Sequence, residues 1–394
     1  GSTIDRALCF FMPGPFSFTG EDVGEFQFHG SPLLVQKILH SLYASGMSPA
    51  EPGEFTRRAF ENGKLDLTAA EAVADLIHAE TESQRRQALK QMDGALFRLY
   101  EGWKDRIARL LALMEADLDF SDQDLPDDLL LKVRPDVSDI MDEIWVHVHD
   151  GRRGELLRDG FRLVILGAPN AGKSSLLNHL VQRDAAIVSP IAGTTRDVID
   201  VHLNLGGFPV VLADTAGLRP DQLNPEHHAS DSIEMEGIRR AMSRADQADI
   251  KILLCDGTQP LDPHTMGLMD EKSIVVVNKM DQIDLTKDSD TLYIPDTLYI
   301  SAKTGDGVDR LMTALIDRMK TMIGGTDTPA LTRARHRQAL ENTYACLERS
   351  MVAPLPELAA EDLRLSVRYL GSLTGRVDIE DLLDMIFRDF CIGK

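Results

Sequence analysis

The sequence has few cysteines, few aromatic residues and no long apolar segment. Its 394 residues are 6% aromatic and include four scattered cysteines: Cys9, Cys255, Cys346 and Cys391. Their spacing matches no metal-binding motif, and isolated thiols are typical of reduced cysteines in the cytosol. No apolar run approaches the roughly eighteen residues that a membrane helix needs, and no signal-peptide pattern opens the chain. We therefore expect a cytoplasmic protein with no membrane segment.

Positive charge is also in short supply. The chain has 42 Lys and Arg residues against 63 Asp and Glu residues, a formal net charge of -21 at pH 7. This balance argues against broad non-specific binding to nucleic acid. A local basic patch can still contact phosphates, so the balance does not exclude RNA.

The length predicts two or three domains. Residues 1–62 mix short apolar runs with Gly and Pro, which predicts strands at Leu8–Met12 and Glu25–His29 and one helix near Leu33–Tyr43. We interpret this segment as part of an α+β domain.

Helical patterns occupy residues 63–158 and 326–394. Apolar residues recur at spacings of three and four from Leu96 to Met114, which predicts a long helix with one buried face. Thr68 followed by Glu71 fits a capping box. Further helices are predicted at 137–148, 333–350, 360–373 and 378–390, the last capped by Asp378. These patterns flank residues 159–325, so we predict an all-α domain with another domain inserted in it.

The inserted segment opens with a phosphate-binding pattern. The buried-strand run Phe161–Leu166 leads into Gly167-Ala168-Pro169-Asn170-Ala171-Gly172-Lys173-Ser174, and a helical pattern follows. In this strand–GxxxxGKS–helix arrangement the loop amides and the helix N-terminus bind phosphates. Lys173 would contact the β- and γ-phosphates, and Ser174 would bind Mg²⁺. The pattern predicts an α/β P-loop domain of the Ras-like type.

Two later patterns predict that the base is guanine. The strand at Ser273–Val277 ends in Asn278-Lys279-Met280-Asp281, and Ser301-Ala302-Lys303 follows a short strand at Leu298–Ile300. The Asp281 carboxylate can accept from guanine N1–H and the exocyclic amine, donors that adenine does not present as a pair. Amides of the 301–303 loop can reach guanine O6.

The segments that sense the γ-phosphate can also be located. A strand at Phe208–Ala213 leads into Asp214-Thr215-Ala216-Gly217, where Asp214 would support Mg²⁺ and the Gly217 amide would contact the γ-phosphate. Thr195, in Gly193-Thr194-Thr195-Arg196-Asp197, is the expected second Mg²⁺ ligand. Leu218 stands where many GTPases place a water-orienting glutamine. Asn170 and residues 189–194 could instead cage a monovalent cation, which would supply positive charge.

These motifs and several others together resemble the MnmE (TrmE) family of tRNA-modification GTPases over nearly the whole chain. The distinctive pieces lie at residues 18–23 (FTGEDV), 52–56 (PGEFT), 58–60 (RAF), 63–67 (GKLDL), 71–77 (EAVADLI), 167–178, 191–197 and 390–394 (FCIGK). The resemblance implies a dimeric enzyme that acts on tRNA with a flavoprotein, MnmG (GidA), in a heterotetramer. Together they would install an aminomethyl or carboxymethylaminomethyl group at C5 of the wobble uridine. The carbon would come from 5,10-methylenetetrahydrofolate, for which 5-formyltetrahydrofolate is an analogue.

The resemblance also implies roles for single residues. Potassium and dimerisation would activate hydrolysis, with Asn170, Ser189, Ile191 and Thr194 as K⁺ ligands. Glu234 would orient the attacking water, with Glu236 as the alternative because the stretch 219–232 is longer than the family usually shows. Catalytic roles are expected for Lys173, Thr195, Gly217 and Glu234. The expected GTP contacts are Asn170, Ala171, Gly172, Lys173, Ser174, Ser175, Ser189, Thr194, Thr195, Asp214, Thr215, Ala216, Gly217, Asn278, Lys279, Asp281, Ser301, Ala302 and Lys303.

The family pattern places the folate against Glu25, Lys64 and Lys394. A carboxylate can accept from the paired N–H groups of a pterin, and lysines suit an anionic glutamate tail. Cys391 is expected near the folate. The first strand–helix portion of this folate-binding domain, including a pocket arginine, is expected to be missing here. Basic candidates for tRNA contacts are Arg57, Arg58, Arg333, Arg335, His336 and Arg337, and a solvated helix face is the alternative.

Two other functions fit the phosphate and base motifs. One is a regulatory G protein of the Era type, which acts in ribosome assembly, and the other is an interaction module whose nucleotide only drives dimerisation. The folate-type N-terminal segment and the terminal Cys-Ile-Gly-Lys favour the tRNA-modification enzyme over both.

Overall fold

The computed structural model describes residues 3–119, 129–183, 201–212, 245–283, 297–324 and 329–377, together with Leu383, Ile386, Phe387 and Phe390. The chain forms two compact units. The first comprises Gly1–Ala79, Arg86–Asp150 and Thr328–Lys394, and the second comprises Glu80–Arg85 and Gly151–Asp327. Most of the predicted helix at 378–390 lies outside the described residues.

The described part of the second unit contains a sheet of six strands: β3 (Phe161–Leu166), β4 (Val201–Leu205), β5 (Phe208–Leu212), β6 (Ile250–Asp256), β7 (Ser273–Asn278) and β8 (Leu298–Tyr299). Their order in the sheet is β4-β5-β3-β6-β7-β8. All neighbours pair in parallel except β4 and β5, which are antiparallel at one edge. The parallel strands are almost continuously apolar because both of their faces are covered. The predicted strands here are confirmed to within one residue.

Among the residues that the structure describes, four helices of this unit accompany the sheet. They are α7 (Arg153–Asp159), α8 (Lys173–Arg183), α9 (Pro263–Met266) and α10 (Val308–Ile323). Leu176 and Leu180 of α8 and Leu311, Leu315 and Met319 of α10 are buried in the same core as β3, β6 and β7. The core thereby fixes where each strand ends and where α8 begins.

The short segment Glu80–Arg85 is held against the β4–β5 hairpin. The Ser83 hydroxyl donates to the Gly207 carbonyl at 2.6 Å, and His202 Nδ1 lies 3.1 Å from the Glu80 carboxylate. The Gln84 amide donates to the Arg158 carbonyl at 3.0 Å. These bonds explain why this segment groups with the second unit, although its position in the sequence suggested the helical domain.

In the first unit, β1 (Leu8–Met12) pairs antiparallel with β2 (Val23–Gln27). The second strand begins and ends two residues earlier than predicted, because the ladder ends where Leu8 faces Gln27 and the His29 amide donates to Asp5 instead. Helices α1 (Pro32–Ala44) and α2 (Glu54–Glu61) follow.

The other elements that the structure describes in this unit are helices. Its members are α3 (Leu67–Ile77), α4 (Glu82–Met92, in part), α5 (Ala95–Asp119), α6 (Leu129–Val148), α11 (Ala334–Val352) and α12 (Pro356–Thr374). The predicted apolar stripe of α5 is confirmed, since Leu96, Trp103, Ile107, Leu110 and Met114 are all buried in one core with α6, α11 and α12. Helix α6 begins eight residues before the predicted start.

The predicted capping box at Thr68 is wrong. Helix α3 begins after Asp66, whose carboxylate accepts from the backbone N–H groups of Thr68 and Ala69 at 2.8 and 3.1 Å. Asp is among the preferred N-cap residues for this reason. Glu71 is therefore released from any capping role, and its side chain is fully buried.

Glu71 is instead the centre of a buried charge cluster between α3 and the start of α11. One carboxylate oxygen accepts from Arg335 Nε at 2.6 Å, and the other lies 3.0 Å from Nε2 of His336. Arg333 binds Asp75 at 2.8 Å and approaches Glu71 at 3.3 Å. The cluster gives a buried carboxylate the partners that it needs to remain charged.

The candidate tRNA contacts Arg333, Arg335, His336 and Arg337 are engaged largely within the first unit. Their charges point into the unit: Arg337 donates to the Val148 carbonyl, and His336 is fully buried. Arg57 and Arg58 are partly exposed, but they pair with Glu61 and with Glu54 and Glu21, respectively. Both groups of basic residues are thus paired with acidic side chains or backbone carbonyls in the folded chain.

Burial and charge act in opposite directions on the pKa of Glu71. Burial would raise it, but Arg335, His336 and Arg333 outweigh burial and hold the pKa of Glu71 well below its ordinary value. Burial and Arg335 lower the pKa of His336. The cluster is therefore an ionised carboxylate with two guanidinium groups and a neutral imidazole near neutral pH.

We expect Glu71→Gln to lower the free energy of unfolding by about 3–5 kcal/mol, because it leaves two largely enclosed guanidinium groups without their buried counter-charge. Denaturant titration followed by circular dichroism measures the change. Glu61→Gln is the control: it removes an exposed partner of Arg57, and such pairs contribute about 1 kcal/mol or less. Equal losses in the two variants would contradict the assigned role of Glu71.

Candidate functional site

The phosphate loop leaves the sheet at the carboxyl end of β3. At Gly167 a Cβ atom would lie 2.3 Å from the Leu254 carbonyl oxygen of β6. Only glycine therefore fits at this position. Asn170 and Gly172 have left-handed backbones, with φ of 63° and 100°. Glycine and asparagine tolerate this conformation best. The loop thus curls back before α8 begins at Lys173.

The loop and α8 present positive potential in one place. The Lys173 ammonium group folds over the loop and donates to the carbonyls of Gly167 and Ala168 at 2.7 and 2.9 Å. Ser174 and Ser175 are exposed in the first turn of α8. A helix N-terminus with an adjacent ammonium group and a curled loop is suited to a polyphosphate.

Asn278 joins this loop to a second one. Its amide nitrogen donates to the Ala171 carbonyl at 2.8 Å, and its amide oxygen accepts from the Ala302 N–H at 2.8 Å. The side chain is 2% exposed. A Cβ at Gly172 would lie 2.1 Å from the Asn278 amide nitrogen, so the second loop glycine makes room for this bridge. The predicted phosphate and base segments are therefore brought together by one buried amide.

Asp281 is oriented by the same second loop. The Ser301 hydroxyl donates to one Asp281 carboxylate oxygen at 2.7 Å. The Met280 N–H donates to the Ile300 carbonyl at 3.2 Å and joins the two segments, and the Ser301 N–H donates to the Asp306 carbonyl at 2.8 Å within the second loop. The carboxylate is exposed at this edge of the sheet, where it can accept hydrogen bonds from a planar base.

Asp256 is a polar residue of this site that the sequence analysis overlooked. It ends β6, and its carboxylate lies 2.6 Å from the Lys279 ammonium group. Burial alone would raise the pKa of Asp256, but hydrogen bonds from Lys279 and Thr258 lower it below its ordinary value. The available signal was its place at the carboxyl end of the buried, mostly apolar run 250–255.

Other predicted site residues lie outside the described part of the chain. They are Ser189, Ile191, Thr194, Thr195, Asp214, Thr215, Ala216, Gly217, Glu234, Cys391 and Lys394, with the alternative Glu236. Among the described residues, no group of three or more His, Cys, Asp or Glu side chains is placed to hold a metal ion. Ser174, whose hydroxyl is a ligand type that Mg²⁺ accepts, lies next to Lys173 in the first turn of α8.

Glu25 and Lys64 lie in the N-terminal part of the first unit. Glu25 is on β2 opposite Phe10, is exposed, and accepts from the Gln27 side chain at 2.7 Å. Lys64 donates to the Pro15 carbonyl at 2.7 Å, in the turn between the two strands. No described contact joins Glu25 to Lys64, so their shared role remains a prediction.

Two family models cover almost the whole chain. The model described as GTP-binding protein TrmE N-terminus matches residues 1–64, and the MnmE helical domain model matches residues 67–391. In the part of the chain that the structure describes, no helix has the length and apolar character required to cross a membrane.

Relatives of known name match over the full length of this chain. The tRNA modification GTPase MnmE of Rhodospirillum rubrum is 51% identical over 397 residues, which is 100% of this chain and 85% of that protein. The protein of the same name from Maricaulis maris is 49% identical over 100% of this chain and 88% of its own length. The mitochondrial 5-taurinomethyluridine-[tRNA] synthase subunit GTPB3 of Danio rerio is 45% identical over 99% of this chain and 82% of its own length.

These matches confirm the resemblance inferred from the motifs. Identity near one half over a whole chain far exceeds what a shared P-loop fold alone would give. The phosphate loop and the guanine-type segments also meet in one site, as a GTPase requires. The chain therefore belongs to the MnmE family of tRNA modification GTPases.

Proposed function

We propose that this GTPase forms 5-carboxymethylaminomethyl or aminomethyl uridine at the wobble position of tRNA, together with the flavoprotein MnmG. The observation that carries this proposal is full-length similarity to proteins named tRNA modification GTPase MnmE. The zebrafish relative, named for 5-taurinomethyluridine, supports chemistry at C5 of uridine. A homodimer within a heterotetramer with MnmG, and a cytoplasmic location, complete the proposal.

The guanine nucleotide would bind across the carboxyl ends of β3 and β7. The loop 167–174 and Lys173 would hold the phosphates, and Asp281 would accept from guanine N1–H and the exocyclic amine. The Asn278 bridge supports this assignment because it fixes the distance between the two halves of the site. The loop at Ser301–Lys303 would approach guanine O6 with its backbone N–H groups.

Hydrolysis would use residues on both sides of the γ-phosphate. Ser174 and Thr195 would hold Mg²⁺, supported by Asp214, and Asn170, Ser189, Ile191 and Thr194 would hold K⁺. When bound, these ions would supply the positive charge that an arginine supplies in other GTPases. Glu234, or Glu236 as the alternative, would orient the attacking water, and the Gly217 amide would donate to the γ-phosphate. The left-handed, exposed Asn170 at the loop apex supports its part of this set.

The one-carbon donor would be 5,10-methylenetetrahydrofolate, held by Glu25, Lys64 and Lys394. The exposed carboxylate on β2 supports an acceptor role toward a pterin, and the lysines suit the glutamate tail. Since Arg335 and His336 are paired with the buried Glu71, tRNA would be contacted elsewhere on the chain or through the partner protein.

We expect Asp281→Asn to weaken GDP binding by about 30-fold or more, because the amide cannot accept from both guanine donors. The same variant should bind XDP more tightly than the parent, since xanthine carries a carbonyl where guanine has its amine. Isothermal titration calorimetry measures both. Asp306→Asn, in the neighbouring loop, is the matched control and should bind GDP as the parent does. Unchanged GDP affinity in Asp281→Asn would remove Asp281 from the base site.

We expect Asn170→Ala to abolish the stimulation of GTP turnover by potassium over sodium, while slow basal turnover remains. The amide oxygen is the proposed ion ligand, and alanine offers no oxygen in its side chain. Turnover is measured by phosphate release in KCl and in NaCl at equal ionic strength. Asn178→Ala, an exposed change on α8, should keep the stimulation. Potassium stimulation of equal size in both variants would exclude Asn170 as a ligand.

The proposed biology is tested by mass spectrometry of tRNA nucleosides. A strain without this protein should lack the C5-substituted wobble uridines, and the gene with its natural sequence should restore them. The Lys173→Ala variant should not restore them, because it loses the ammonium group at the phosphates. Normal wobble uridines in the strain without the protein would refute the tRNA-modification function.

A further inference from the structure

The carboxyl ends of β6 and β7 are paired residue by residue. In the parallel register Asp256 lies opposite Asn278, the residue that bridges the two nucleotide loops. Gly257 extends this pairing, since its N–H donates to the Asn278 carbonyl at 3.0 Å. The end of β6 is therefore attached to the segment that is proposed to bind guanine.

Lys279 follows Asn278 in an unusual conformation. Its backbone is left-handed, with φ of 65°, and it precedes a 3₁₀ turn at Met280–Gln282 that contains Asp281. Its ammonium group lies 2.6 Å from the Asp256 carboxylate. The Lys279 side chain is 26% exposed and that of Asp256 is 16% exposed, so water only partly screens the pair.

Asp256 is itself held in place by local bonds. One carboxylate oxygen accepts from the Thr258 N–H at 3.0 Å and from the Thr258 hydroxyl at 2.7 Å, and the other faces Lys279. A Cβ at Gly257 would lie 2.4 Å from the Ile283 side chain, so the turn that carries these groups is tightly packed. The carboxylate is thus a fixed anchor, whereas Lys279 is a long and flexible side chain.

We propose that Asp256 is a positioning residue for guanine-nucleotide binding, which acts by holding the Lys279 side chain in place beside the base site. This inference rests on the proposed guanine site at Asn278–Asp281. A lysine that is already fixed loses less rotamer freedom when the nucleotide binds. Removal of the anchor should therefore weaken nucleotide binding, and the effect should depend on Lys279 being present.

A double-mutant cycle tests this dependence. The proteins are the parent, Asp256→Asn, Lys279→Met and the double variant, and the dissociation constant for GDP is measured by fluorescence competition. Asp256→Asn should weaken GDP binding about three- to tenfold, and should raise the KM for GTP with little change in kcat. In the Lys279→Met background the same change should have no further effect. Asp256→Glu, which keeps the charge, should recover part of the affinity.

The matched control is Asp270→Asn, which breaks a second Asp–Lys pair of equal length, with Lys251 near the opposite end of β6. It should leave GDP affinity unchanged, and thermal melting checks that each variant is folded. If Asp256→Asn weakens GDP binding equally with and without Lys279, or not at all, the positioning role is overturned. If Lys279→Met itself binds GDP as the parent does, the positioning role also fails, whereas failure of the proposed base site shows separately as unchanged GDP affinity in Asp281→Asn.

Discussion

The proposed nucleotide site depends on one buried side chain, the Asn278 amide. It donates to the phosphate loop at Ala171 and accepts from the 301–303 loop at Ala302, so it sets the distance between them. Both bonds are made by a group that is 2% exposed, where an unpaired amide would be costly. The glycine at 172 exists in this position because any larger residue would collide with that amide. The two segments that are proposed to bind the phosphates and the base are therefore joined by one hydrogen-bonded side chain.

The helical unit also contains a buried polar side chain that joins two segments, but here the group is a charged carboxylate instead of an amide. Glu71 is buried at the contact between α3 and α11, and Arg335 and His336 satisfy its two oxygens. Arg337 of the same turn donates to Val148, near the point where the chain leaves this unit. The residues that flank the inserted unit in sequence are thus fixed within the helical unit by buried polar contacts. Oriented polar contacts of this kind define one arrangement of the helices more sharply than apolar packing alone.

Local patterns predicted most of the elements and the central motifs. The stripe on α5, the strand Phe161–Leu166 and the loop after it follow from short-range spacing, which a sequence displays directly. The errors arose where a partner lies far away in the chain. Glu71 looked like a capping residue and Arg335 like a surface charge, yet they bind each other across 264 residues. Asp256 was overlooked for the same reason, because its partner Lys279 lies 23 residues away, directly after the neighbouring strand.

The sequence by itself determined the class of the protein: the P-loop, the guanine-type segments and the pieces typical of the MnmE family are all contiguous stretches. It also determined which residues could place a positive charge beside a phosphate or accept a hydrogen bond from a base. Only the tertiary structure decided which of those charges remain available. The pairing of strands and the packing of helices bring distant residues together. Arg333, Arg335 and His336 therefore pair with carboxylates inside the helical unit. Asp281, in contrast, stays exposed at the sheet edge.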